Sequence, residues 1–278
     1  MRYRGTVGIA ALAVAALVGC GGSSGADGAS ATTTSGTDAA APDSCSASTL
    51  HGHFIYEVHG AATTADGTAP YLEIGELEFG RDGTGTRRQT NSATLAEGDS
   101  SFEYTVGDDC IGEIEAEDGT YRTFVDPSGA EVTFFPAGSG DVQTDLDGLA
   151  RAAVTSGPDC STATLRGTYQ YRSRGTLGGE GHIEHGFEVY DGDGKVTNVY
   201  RVSGEDEPTH LEGTYTVDAD CRAVVTYTDG PTLEQYLSAD GDEFYWLQTD
   251  GFDEPGVFGG HEHRVSAAVD TAILGGAG

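Results

Sequence analysis

Lysine is all but missing from this chain of 278 residues. Lys195 stands alone, and Lys and Arg together number 14 against 45 Asp and Glu. The formal net charge of −31 excludes nucleic acid as a partner, because such a partner's phosphates must be neutralised by basic side chains. It also excludes contact between the folded part and anionic lipid headgroups. The acids are spread along the chain rather than clustered, as expected of a solvated surface that stays soluble when salt screens its repulsion. Helix signals are equally scarce, apart from Asp145 to Val154, which read as one short helix. No two cysteines have the C-x-x-C spacing of a zinc site. Outside the Gly/Ser-rich stretch after Cys20, where Gly21 to Gly25 matches by composition, there is no G-x-S-x-G elbow, and the chain has no Cys–His nucleophile arrangement and no phosphate loop. The sequence therefore reads as a non-enzyme without a cofactor.

The amino terminus carries Arg2 and Arg4 and then an apolar stretch, Gly8 to Val18, which is too short to span a bilayer. It ends Leu17-Val18-Gly19-Cys20. That quartet resembles the lipobox of bacterial lipoproteins: a branched apolar residue, two small ones, then cysteine. The resemblance implies that residues 1–19 are an export signal. It also implies that the Cys20 sulfur carries a diacylglyceryl group and that the new amino group is acylated, giving several chains for stable anchoring in a lipid bilayer. Residues 20–44 are mostly Gly, Ser, Ala and Thr, without apolar periodicity, and read as a disordered tether. The expected location is the cell envelope, lipid-anchored, with the folded part outside the cytoplasm.

A seven-residue phrase occurs twice: Tyr104-Thr-Val-Gly-Asp-Asp-Cys110 and Tyr215-Thr-Val-Asp-Ala-Asp-Cys221. Around it the chain aligns with itself. Leu50 through Gly60 answers Leu165 through Gly175, Tyr71–Phe79 answers His182–Tyr190, and Gly75 falls against Gly186, where a bulge or sharp bend is expected. Residues 45–156 and 157–278 are thus two copies of one domain. With Cys20 lipidated, four cysteines remain, which allow three pairings. The repeat selects Cys45 with Cys110 and Cys160 with Cys221, each bond staying inside its copy, and an exported protein meets an oxidising compartment.

Asp-Gly pairs recur along the chain, among them those that begin at residues 66, 82, 118, 147, 193, 229, 240 and 250. They mark tight hairpin turns between short alternating strands. The fold class is all-β: two tandem homologous antiparallel domains, each a small barrel of seven or eight strands. The opening Leu-x-Gly-x-aromatic-x-Tyr strand resembles that of calycin-like (lipocalin-like) barrels, which implies an up-and-down barrel able to enclose a small ligand.

Histidines come in pairs, His51/His53, His182/His185 and His261/His263, at spacings that could bring two ring nitrogens to one metal. The last pair is expected beside the arginine-rich first strand of repeat two, which repels a cation, and His185 aligns with Ile74 on a face read as inward. Asp191-Gly-Asp-Gly-Lys195 lacks the later acids of a calcium loop and reads as a hairpin turn. No metal site is assigned. Two functions are compatible with the pattern. One is a membrane-anchored exported lipoprotein whose barrels bind a small apolar ligand. The other is a structural or interaction lipoprotein that displays rigid β domains to a cell-surface protein partner.

Overall fold

The computed structural model describes residues 44–64, 67–137, 145–153, 160–251 and 254–270. The expected export signal, Cys20 and nearly all of the expected tether lie outside them. Two closed eight-stranded antiparallel barrels follow one another along the chain. The first comprises β1 (Gly52–Thr64), β2 (Gly67–Phe79), β3 (Thr84–Asn91), β4 (Glu97–Val106), β5 (Ile111–Ala116), β6 (Gly119–Val125), β7 (Glu131–Pro136) and β8 (Asp145–Ala152). The second comprises β9 (Arg166–Leu177), β10 (Glu180–Asp191), β11 (Lys195–Val202), β12 (Thr209–Val217), β13 (Arg222–Tyr227), β14 (Thr232–Leu237), β15 (Glu243–Asp250) and β16 (Gly256–Ser266). Each strand pairs with its neighbour in sequence, and β1/β8 and β9/β16 close the cylinders. Full closure leaves no sheet edge to protect.

The segment 145–154 is not the expected helix. Its described part is β8, which pairs with both β1 and β7. Closure of the barrel supplies two ladders of hydrogen bonds, which outweigh a weak helical pattern. Asp147-Gly148 consequently lies inside a strand rather than in a turn. Gly148 is there because the Phe134 ring lies against it, and a Cβ would come within 2.3 Å of that ring. Gly75 and Gly186 likewise mark no bulge, since the ladders run through them without a register shift. They make room instead for the rings of Tyr56 and Tyr171, each 2.7 Å from the place a Cβ would occupy.

The repeated phrase closes one end of each barrel. A short 3₁₀ turn, Ala47–Thr49 or Thr162–Thr164, crosses that end. The Tyr104 hydroxyl reaches the carbonyls of Ala47, Leu50 and Gly80 at 2.8, 2.9 and 2.6 Å. Tyr215 does the same for Thr162 and Leu165 at 3.1 and 2.7 Å. The acidic residues that follow cap the turn: Asp218 Oδ1 accepts the amides of Asp220 and Arg222, each at 3.0 Å. The cysteines then take positive φ, 63° at Cys110 and 62° at Cys221. They bond to Cys45 and Cys160, respectively, across separations of 65 and 61 residues. In barrel 2 the closed end is further tied by Arg264. Its guanidinium lies 5.5 Å from the Tyr169 ring centroid and donates to the carbonyls of Thr164, Asp240 and Gly241.

The barrels pack side by side, but through different walls. Ile55, Leu72 and Ile74, from the outer face of β1 and β2, meet Tyr236, Tyr245 and Leu247, from the outer face of β14 and β15. Charged pairs ring this apolar seam. Arg222 joins Glu97 and Glu234, and Arg88 lies 3.3 Å from Asp220. The contact is therefore heterologous: each copy keeps its counterpart of the other's contact wall uncovered. That explains His185. It matches Ile74 in the alignment, but the shared face is the outer one, covered only in barrel 1. Ile74 is buried in the seam, whereas His185 is exposed on the outside of barrel 2.

Candidate functional site

The end of each barrel opposite the disulfide differs sharply between the copies. In barrel 1 the interior is almost solid, with a space of about 40 Å³ among Tyr56, Tyr71, Phe102, Tyr121 and Phe134. In barrel 2 the same chamber is open, about 830 Å³, and the walls come from all eight strands. Superimposing the ladders residue by residue gives the reason. Phe102 of β4, which pairs with Ala116, corresponds to Gly213 of β12, which pairs with Tyr227. Arg87 of β3, which pairs with Leu77, corresponds to Asn198 of β11, which pairs with Glu188. A phenyl ring and a guanidinium are thus removed from the interior, and Tyr227 in place of Ala116 refills only part of the space.

Apolar and acidic groups share the chamber. Tyr171, Trp246, Phe258, Leu211 and Leu233 form its greasy wall. Tyr171 meets Trp246 edge-on with ring centroids 6.1 Å apart, and Trp246 meets Phe258 at 5.5 Å. Glu184, Glu188, Glu205, Asp229 and Glu254 also line it, and among the described residues no Lys or Arg does. Glu188 sits on the floor, 1 % exposed. It accepts hydrogen bonds from Tyr190 and Tyr227, and from the Asn198 amide at 2.9 Å. Burial nevertheless pushes its carboxyl up to about 7, because those bonds only partly replace lost hydration. Beneath it lies Glu262 of β16, fully buried, with neither oxygen hydrogen-bonded. Burial, and then the nearby Glu188, holds Glu262 far above the usual carboxylate range. Its counterpart in barrel 1 is Ala150, and that of Glu188 is Leu77.

Of the histidines singled out in the sequence, only His182 reaches this site. Its Nε2 lies 2.7 Å from Glu184 Oε1, and its ring packs edge-on against Phe258 at 4.9 Å. His51 is exposed, and His53 stands on the outer wall, 3.7 Å from Glu78. His261 bonds Glu243 at the seam and stacks loosely on His263, and the ladder sets it opposite Arg172 as expected. Among the described residues no three His, Cys, Asp or Glu are grouped to hold a metal ion. Asp191 caps its hairpin, accepting the amides of Asp193 and Lys195 at 2.7 and 2.9 Å. The four core cysteines are tied up at the closed ends, away from the chamber. Glu188, Asn198 and Glu262 belong to no motif. They stand out only when each is set against its apolar or basic counterpart in repeat one.

A second hollow, about 850 Å³, runs along the groove between the barrels. Arg88 is already engaged there: it lies 3.6 Å from both Glu97 and Asp99 and 3.3 Å from Asp220. The groove is the rim of the interbarrel contact, and the chamber of barrel 2 is the candidate site.

No protein-family model matches the chain, and no curated protein matches it. Two crystal structures are similar in part. One is a protein of unknown function from the DUF3598 family of Nostoc punctiforme, with 12% identity, a TM-score of 0.28, and coverage of 78% of this chain and 97% of that one. The other is a "putative AttH" from Nitrosomonas europaea, with 11% identity, a TM-score of 0.28, and coverage of 79% and 94%.

Proposed function

We propose that this chain is an exported, membrane-anchored binding protein whose second barrel holds a small, largely apolar ligand. The observation that carries the reading is the difference between two copies of one fold: barrel 1 is packed and barrel 2 is hollow. A chamber of about 830 Å³ falls in the size range of small-molecule sites, which are concave, mostly apolar and furnished with a few polar groups. Only one barrel is offered as a binder, in place of the two expected from the sequence, because about 40 Å³ admits little more than water. Trp246 lines the chamber, and its indole N–H is buried without a partner. The reading is of a binder rather than an enzyme. Acyl chains on Cys20 would fix it to the membrane, and the tether would hold the barrels clear of the surface.

N-phenyl-1-naphthylamine, neutral and apolar, is a suitable probe. It should bind once per chain and quench Trp246, and Leu211→Trp, which fills the chamber, should abolish binding. Absence of saturable binding to the wild-type protein would refute the reading.

A second reading, display of a docking surface, rests on one patch. Ile111, Phe124 and Phe135 adjoin on the outer wall of barrel 1, 41%, 46% and 41% exposed. Phe124 and Phe135 are the counterparts of Tyr236 and Leu247, which barrel 2 buries against barrel 1. Cross-linking at the cell surface through a photoreactive residue at position 124 tests it: a specific partner is expected, and none should be captured from a position on the opposite wall.

A further inference from the structure

We infer that the ligand of barrel 2 is an organic cation, a protonated amine or guanidinium carried on an apolar body, with its charge seated between Glu184 and Asp229. This deepens the function proposed above and rests on it. The argument comes from barrel 1, which holds such a cation covalently. The Arg87 side chain turns into the chamber and is largely buried. Its Nη2 lies 3.0 Å from Asp118 Oδ2, its Nη1 lies 3.9 Å from Glu73 Oε1, and its Nε donates to Ser100 at 3.2 Å. Two tyrosines, Tyr56 at 2.6 Å and Tyr71, donate to the same Glu73 carboxylate.

Barrel 2 keeps the acids and drops the base. Glu73 corresponds to Glu184 in the ladder, and Asp118 matches Asp229 in sequence, at a turn that is one residue longer in barrel 2; Glu184 and Asp229 both line the hollow chamber. Tyr56 corresponds to Tyr171, still on the wall. Tyr71 becomes His182, which still bonds the carboxylate, at 2.7 Å. Arg87 alone is replaced by a residue without charge, Asn198, whose amide is drawn down to Glu188 at 2.9 Å. The two carboxylates that hold the guanidinium thus survive with the guanidinium removed, while its third acceptor, Ser100, is replaced by Leu211. Two further carboxyl groups, Glu188 and Glu262, replace Leu77 and Ala150 below it, and neither brings a cation to the chamber. His182 does not make it good, because it occupies the place of the tyrosine donor and not that of the guanidinium.

The surrounding surface fits the same class of ligand. Trp246, Phe258 and Tyr171 present aromatic rings around the vacated position, and ring faces attract a desolvated cation. A small, fully hydrated metal ion gains nothing from such walls. An anion would meet five lining carboxyl groups and, among the described residues, no Lys or Arg.

The test compares three probes of one shape at neutral pH: 1-naphthylmethylamine, which is protonated, 1-naphthalenemethanol, which is neutral, and 1-naphthaleneacetate, which is anionic. Binding is read by calorimetry and by quenching of Trp246 in the full folded chain. The amine should bind at least about tenfold more tightly than the alcohol, since a buried charge-assisted contact is added, and the acetate should not bind. Asn198→Arg should plug the site and remove amine binding. Glu184→Gln combined with Asp229→Asn, which leaves the chamber open, should bring amine and alcohol close to equal affinity. If alcohol and amine bind equally to the wild-type protein, the cation assignment is wrong while the apolar site stands. If none of the three binds, both readings fall.

Discussion

Glu188→Gln should flatten the pH dependence of barrel 2's stability. In the folded chain the Glu188 carboxyl titrates at about 7 against an unperturbed 4.5. The folded state therefore keeps a proton that the unfolded chain has already released between those values. Stability from this group is fully present below about pH 4.5, falls as pH rises toward 7, and is gone above it. The slope approaches 1.36 kcal/mol per pH unit, and integrating from about pH 5 to about pH 8 gives a loss of about 2.5 kcal/mol. Glutamine has nearly the same shape and can still accept from Tyr227 or Tyr190, so the variant removes the titration with little change in packing. Glu262 is held up partly by Glu188 itself, so the variant relaxes that second shift as well, in the direction that adds to the flattening. Trp246 is the only tryptophan and is buried in barrel 2, so its fluorescence in urea reports the right unit. The variant should be weaker than or equal to wild type near pH 5 and gain on it by about 2.5 kcal/mol by about pH 8. A difference that stays constant across this range would refute the account of Glu188 as a buried, protonated acid.

Other consequences can be checked independently. Ile74→Ala opens the interbarrel seam and should cost about 2–5 kcal/mol in urea unfolding, whereas His185→Ala, at the same alignment position on an exposed wall, should stay within about 0.5 kcal/mol. Removing the Cys45–Cys110 bond by double serine substitution frees a loop of 65 residues and should cost about 4 kcal/mol, read by the same assay under non-reducing conditions. Cys20→Ser should move the protein from the membrane fraction to the soluble one, and an unchanged membrane fraction would remove the anchor.

The sequence by itself determined the duplication, the all-β class and the pairing of four cysteines. These are legible because side-chain alternation, Asp-Gly turns and a repeated Tyr-to-Cys phrase are local features, and a copy of the phrase is its own alignment. The phrase's tyrosine also seals the closed end, a role that became apparent only when Tyr104 and Tyr215 were seen reaching the carbonyls of the crossing 3₁₀ turns. Local patterns failed where two ladders compete for one segment, as in β8, and where a glycine serves a ring from another strand, as with Gly148 under Phe134.

Which faces are covered was decided by the tertiary structure alone. Ile74 and His185 occupy the same register, and only the heterologous packing of the barrels makes one core and the other surface. The chamber was hidden for the same reason. Volume is a sum over residues that converge from eight strands, so exchanging Phe102 for Gly213 and Arg87 for Asn198 is silent in the local pattern of each strand. Only when the barrel closes do these exchanges meet, with Glu188 and Glu262 below them, and turn a packed copy into a hollow and acidic one.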